Sequence, residues 1–80
     1  MTGIGRVYDS GKFVSAVTYD LRLDLKTNGF VGELKLTGVG STIEETGSFT
    51  LRLANDRVLK FSVVGSNFDI YQISGEGGLL

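Results

Sequence analysis

The chain has no cysteine, no histidine, no proline and no tryptophan, and its single methionine is the first residue. The missing cysteines exclude disulfides, thiolate nucleophiles and cysteine-ligated zinc together. The missing histidines remove the commonest general base and the commonest transition-metal ligand. Without proline, the turns fall to the 12 glycines, helped by Asn and Asp. No run approaches the ~18 apolar residues of a membrane span, and Met1 to Arg6 has no apolar signal-type core. A cytoplasmic protein is the expectation. Eight basic and nine acidic residues leave a net charge of −1, which supplies no long-range field to gather polyanions.

What is present is alternation. The large apolar residues from Phe13 to Leu25 carry odd numbers: Phe13, Val17, Tyr19, Leu21, Leu23 and Leu25. Between Phe30 and Leu36 they move to even numbers, and in Phe49–Leu53 and Leu59–Val63 they return to odd. A period of two marks a half-buried strand, whose successive side chains point to opposite faces. Eighty residues make one small domain, residues 1–80, stabilised by packing alone.

The turn residues divide the chain into six strands. Asp9-Ser10-Gly11-Lys12 separates the first two and sets Tyr8 opposite Phe13 and Ile4 opposite Val17. Thr27-Asn28-Gly29 ends the second strand. A two-residue Asn28-Gly29 loop would oppose Arg22 to Lys35 and Asp24 to Glu33. A four-residue loop, Lys26 to Gly29, opposes Arg22 to Glu33 and Asp20 to Lys35, and charge pairing favours it.

Residues Gly38 to Gly47 read in two ways. Ser41-Thr42-Ile43-Glu44 matches a helix capping box, yet parity favours one long strand in which Gly40 faces Leu51 and Gly38 faces Leu53. Asn55-Asp56-Arg57 makes the next turn, with Leu53 opposite Leu59, Leu51 opposite Phe61 and Phe49 opposite Val63. Gly65-Ser66-Asn67 leads to a last strand carrying Tyr71 and Ile73. The tail from Gly75 to Leu80 reads as flexible. The predicted fold is all-β: a six-stranded antiparallel meander forming a closed or partly open up-and-down β-barrel. Its expected inner face also includes Tyr8, Phe13, Leu23, Leu25, Phe30 and Val63.

No motif for chemistry stands out. Gly38-Val39-Gly40-Ser41-Thr42 lacks the third Gly and the βαβ context of a dinucleotide fingerprint, and the Gly-Lys-Ser/Thr of a P-loop. Glu44-Glu45 and the group Asp20, Asp24, Glu33 read as solvated surface carboxylates. No catalytic, metal-binding or cofactor-binding residue is expected, and the chain is read as non-enzymatic. Nucleic-acid binding is disfavoured by the net charge and by aromatics such as Tyr19, Phe49 and Phe61 facing inward, away from the cations. A small apolar ligand held in the barrel is the alternative reading.

The feature a plain barrel does not require is an outer patch of Val58, Val64, Phe68 and Ile70, with Val64 near Phe68 and Ser62 near Ile70. A contiguous apolar group of this kind marks a contact surface. The sequence therefore points to a homo-oligomer or an accessory subunit acting on a protein partner.

Overall fold

The computed structural model describes residues 1–26, 29–37, 43 and 49–76. Six strands form it: β1 (Thr2–Asp9), β2 (Lys12–Asp24), β3 (Gly29–Leu36), β4 (Phe49–Arg52), β5 (Val58–Asn67) and β6 (Ile70–Gly75). All pairings are antiparallel, and the sheet closes into a barrel, as the alternation predicts. Closure leaves a one-sided sheet with no dry face uncovered and no long free edge.

The order around the barrel is β1-β2-β3-β6-β5-β4. Two three-stranded meanders are thus joined edge to edge, with β3 beside β6 and β1 beside β4. The expected adjacency of β3 and β4 gives way here. Leu51 lies between Val7 of β1 and Leu59 of β5, so both edges of β4 are occupied within the barrel. Gly38 to Thr42 and Glu44 to Gly47, on which the long-strand and capping-box readings rest, lie outside the described residues, as do Thr27, Asn28 and the tail from Gly77.

One end of the barrel, the upper, carries the turns after β1 and β5. The lower end carries the loops after β2 and β4. The core is contributed by every strand: Val7, Val17, Tyr19, Leu21, Leu34, Leu36, Phe49, Leu51, Leu59, Phe61, Tyr71 and Ile73 are buried. Leu53 and Ile43 join them from outside the strands. Phe49 and Phe61, directly paired, stack with centroids 5.5 Å apart. Two buried tyrosines use their hydroxyls to anchor neighbouring segments. The Ala54 amide donates to the Tyr19 hydroxyl (3.2 Å) and the Ile43 amide to the Tyr71 hydroxyl (3.3 Å). Each ring is apolar bulk with a polar handle.

Two registers differ from the expectation while keeping parity. In the β2–β3 hairpin Tyr19 faces Leu34 and Leu21 faces Gly32, which puts Asp20 opposite Glu33, a like-charge pair. Exposed cross-strand charges contribute only about 0.2–1 kcal/mol. Packing decides instead: a Cβ on Gly32 would run into the Asp20 carbonyl oxygen, so the strands approach closely where only Gly fits. In the β4–β5 hairpin Leu51 faces Leu59 and Phe49 faces Phe61, leaving Leu53 to Arg57 as the loop. That loop closes through Leu53 N–H to the Arg57 carbonyl (2.8 Å) and Asp56 N–H to the Leu53 carbonyl (3.0 Å).

A β-bulge changes parity itself. Val7 pairs with Ser15 but Tyr8 pairs with Phe13, so Val14 is an extra residue in β2. An inserted residue flips every side chain beyond it to the other face. Val7 therefore points inward and is fully buried, while Phe13, expected inside, is 59% exposed. Ile4 faces outward and pairs with Thr18 rather than Val17. Tyr8 meets Phe13 edge to face, with centroids 5.8 Å apart. Leu23 and Leu25 also lie outside the core, for a different reason. Beyond Leu21, which bonds to Met1 through both backbone groups, β2 has no β1 residue beside it. Leu25 is 83% exposed in consequence, and Leu23 half exposed. Phe30 and Val63 are partly buried against the core edge.

Candidate interaction surfaces

The four residues of the expected outer patch are separated by the structure. Val58, half-buried, opens β5 opposite Arg52 at the lower end. The other end of β5 is nine residues away, about 30 Å at strand rise. There Asn67 pairs with Ile70, leaving Phe68-Asp69 as a two-residue turn. Phe68 is 95% exposed. Ile70 is half-buried between Asn67 and Lys35. Val64, 66% exposed, is the extra residue of a second bulge, between the Val63–Ile73 and Gly65–Gln72 pairs. The expected proximity of Val64 to Phe68 and of Ser62 to Ile70 gives way with that register: Ser62 faces Ser74.

Phe68 is unusual in its backbone as well as its exposure. Its φ is +58°, the left-handed region. The first position of a two-residue hairpin turn with this sign belongs to Gly by preference. An L-residue there costs roughly 1–2 kcal/mol. A large aromatic is thus held in solvent on a strained tip.

A second surface was hidden by the β1–β2 bulge. Successive cross-strand partners line up in rows over β2-β1-β4-β5. One row is Phe13, Tyr8, Thr50, Lys60, and the next is Ala16, Arg6, Arg52, Val58. Phe13, Lys60, Arg6 and Arg52 are exposed, and the other four are half-buried. Neither row contains a carboxylate. Arg6 and Arg52 are directly opposite each other, a like-charge pair. Below them opens a cleft of about 310 Å³ lined by Ile4, Gly5, Arg6, Arg52, Leu53, Ala54 and Asp56. Tyr19, reaching the loop from within, fixes Ala54 at its rim.

The opposite wall mixes both signs, with Arg22 following Asp20 on the outer face of β2. There the rows run Thr2, Asp20, Glu33, Gln72 and Ile4, Thr18, Lys35, Ile70. A shallower cleft of about 200 Å³ lies along it, with Asp20, Glu33, Lys35 and Ile70 in its lining. A net charge near zero therefore conceals one wall on which cations predominate. The sequence signal that could have exposed it is Arg6 and Arg52 with their neighbours, but only once β1 is known to lie beside β4.

These surfaces offer non-covalent contact: guanidinium groups, aromatic rings and one apolar tip. Among the described residues no group of three or more Asp or Glu is placed to hold a metal ion, and no helix is long and apolar enough to cross a membrane. No protein family, curated protein or solved structure matches the chain.

Proposed function

We propose that the chain is a non-enzymatic β-barrel subunit that acts through its surface, associating with a copy of itself or docking on a protein partner. Phe68 carries this reading. A ring 95% exposed, on a backbone conformation that disfavours it, contributes nothing to the isolated barrel. Burying it in a contact would return roughly 1.5–3 kcal/mol per side chain, which outweighs the strain. Ile70, at the other end of the same turn, extends the apolar tip, while Val58 falls outside that contact. The cytoplasm is the compartment this reading assigns.

The alternative, a small apolar ligand inside the barrel, receives less support. The interior side chains are nearly all buried against one another, and the two clefts described open on the outer surface. Sedimentation velocity across a concentration series, with native mass spectrometry, tests the first reading. Wild type is expected as a dimer or larger species that Phe68→Gly shifts toward monomer. A wild type that stays monomeric at several hundred micromolar, with no protein retained from its host, ends it.

A further inference from the structure

We infer that the wall formed by β2, β1, β4 and β5 binds single-stranded nucleic acid. The argument begins with Arg6 and Arg52. Like charges directly opposite on a sheet destabilise it, and here they stand side by side on the outside with no carboxylate in either row, Asp56 being the one carboxylate lining the cleft below them. A phosphate between them turns that repulsion into two charge-assisted contacts, for which the guanidinium fork is suited. Lys60, two strands from Tyr8 in the adjacent row, extends the positive strip across β5.

Charge alone would fit any anion. The aromatics narrow the class. Phe13 and Tyr8 stand at the other end of the Lys60 row, ring against ring, with Phe13 open to solvent. A strip of cations beside an exposed aromatic is what a single strand needs, since its phosphates track the cations while an unstacked base lies on the ring. Four strands at about 4.8 Å spacing give a site ~14 Å across, suited to a short stretch of about four nucleotides. A base-paired duplex would keep its bases stacked away from Phe13. The opposite wall excludes itself, because Asp20 and Glu33 lie next to each other there. This surface is separate from the Phe68 turn, so it stands whether or not the chain self-associates.

The test is fluorescence anisotropy with labelled dT20 and U20 and the full chain, from 20 to 300 mM salt. Saturable binding is expected, with log K falling against log salt at a slope near −2, since about three phosphates are neutralised at ~0.7 each. Affinity should therefore drop about 16-fold between 50 and 200 mM salt. Arg6→Ala with Arg52→Ala should weaken binding at least tenfold and bring the slope to about −0.7. Phe13→Ala should weaken it roughly tenfold with the slope unchanged, the mark of lost stacking. Asp20→Ala and Phe68→Gly should leave affinity within twofold. All these side chains are exposed, and circular dichroism establishes that each variant keeps the fold. Absence of binding at 100 μM protein and 20 mM salt overturns the inference. So does binding that heparin displaces fully while Phe13→Ala changes nothing, which would make the wall a general anion surface.

Discussion

The hairpins β1–β2 and β5–β6 are built alike and end differently. Each contains a bulge with valine as the extra residue, Val14 in one and Val64 in the other. Each closes through a two-residue turn at the upper end of the barrel. Each second strand also supplies a buried tyrosine that anchors another segment, Tyr19 for Ala54 and Tyr71 for Ile43. At the first turn the left-handed positions are Ser10 and Gly11, with φ of 51° and 86°. At the second the left-handed position is Phe68. One turn places a small serine and a glycine in this region, and the other holds an exposed aromatic there. The same architecture thus carries a turn of small residues in one hairpin and an exposed aromatic tip in the other.

The largest expected effect tests the first bulge. With Val14 as the extra residue of β2, Val7 faces the core and Ile4 faces solvent. Val7→Asp would bury an unpaired carboxylate and should cost more than about 4 kcal/mol, unfolding the domain. Ile4→Asp should stay within about 0.5 kcal/mol. Denaturant melts of the two variants decide it: a regular ladder through Tyr8 and Ile4 would reverse the order.

Bulges are where the sequence stops being readable. Alternation in Val17–Leu21, Leu34–Leu36 and Tyr71–Ile73 assigns the inner face correctly because parity is local. Val14 carries no mark of being extra, since valine suits a regular strand equally well, and the inserted residue moves Phe13 and Tyr8 outward. The partners of β4 are a long-range property, settled when the sheet closes and not by any residue in Phe49–Arg52. Charge pairing misjudged the β2–β3 register because exposed pairs are weak beside the close approach at Gly32. The aromatic and basic wall was illegible for both reasons together, whereas Phe68 stood out by parity alone.

The shared tyrosine anchors give the next test. Tyr71→Phe removes the acceptor of a buried amide and should cost about 1–3 kcal/mol. Tyr19→Phe should cost less, since the Ala54 amide is only part-buried and water can replace the hydroxyl. Equal losses in thermal melts would remove burial as the difference between the two hairpins.

Exchanging the turn residues sharpens the contrast directly. Phe68→Gly should stabilise the isolated barrel by about 1 kcal/mol through relief of the left-handed strain, or roughly 4–8 °C in a domain of this size. Gly11→Ala should destabilise by a similar amount. A Cβ there meets nothing within 4 Å, so the whole cost is backbone strain. Melts at low protein concentration keep association out of the measurement. A Phe68→Gly variant that melts lower than wild type would mean that the ring supports the barrel itself.

The smallest effect compares the two exposed phenylalanines. Phe13 is 59% exposed but keeps one partner, the Tyr8 ring at 5.8 Å. Edge-to-face pairs contribute roughly 0.5–1.5 kcal/mol beyond the area they bury, and exposure places this one at the lower end. Phe13→Ala should therefore cost about 0.5–1 kcal/mol. A Phe13→Ala, Tyr8→Ala double-mutant cycle should return most of that loss as coupling, because the two residues are also direct cross-strand partners. Phe68→Ala has almost no contact surface to lose and should shift the midpoint hardly at all. Coupling near zero between Phe13 and Tyr8 would leave Phe13 as idle as Phe68 in the isolated barrel, and the two hairpins would then differ only in their backbone strain.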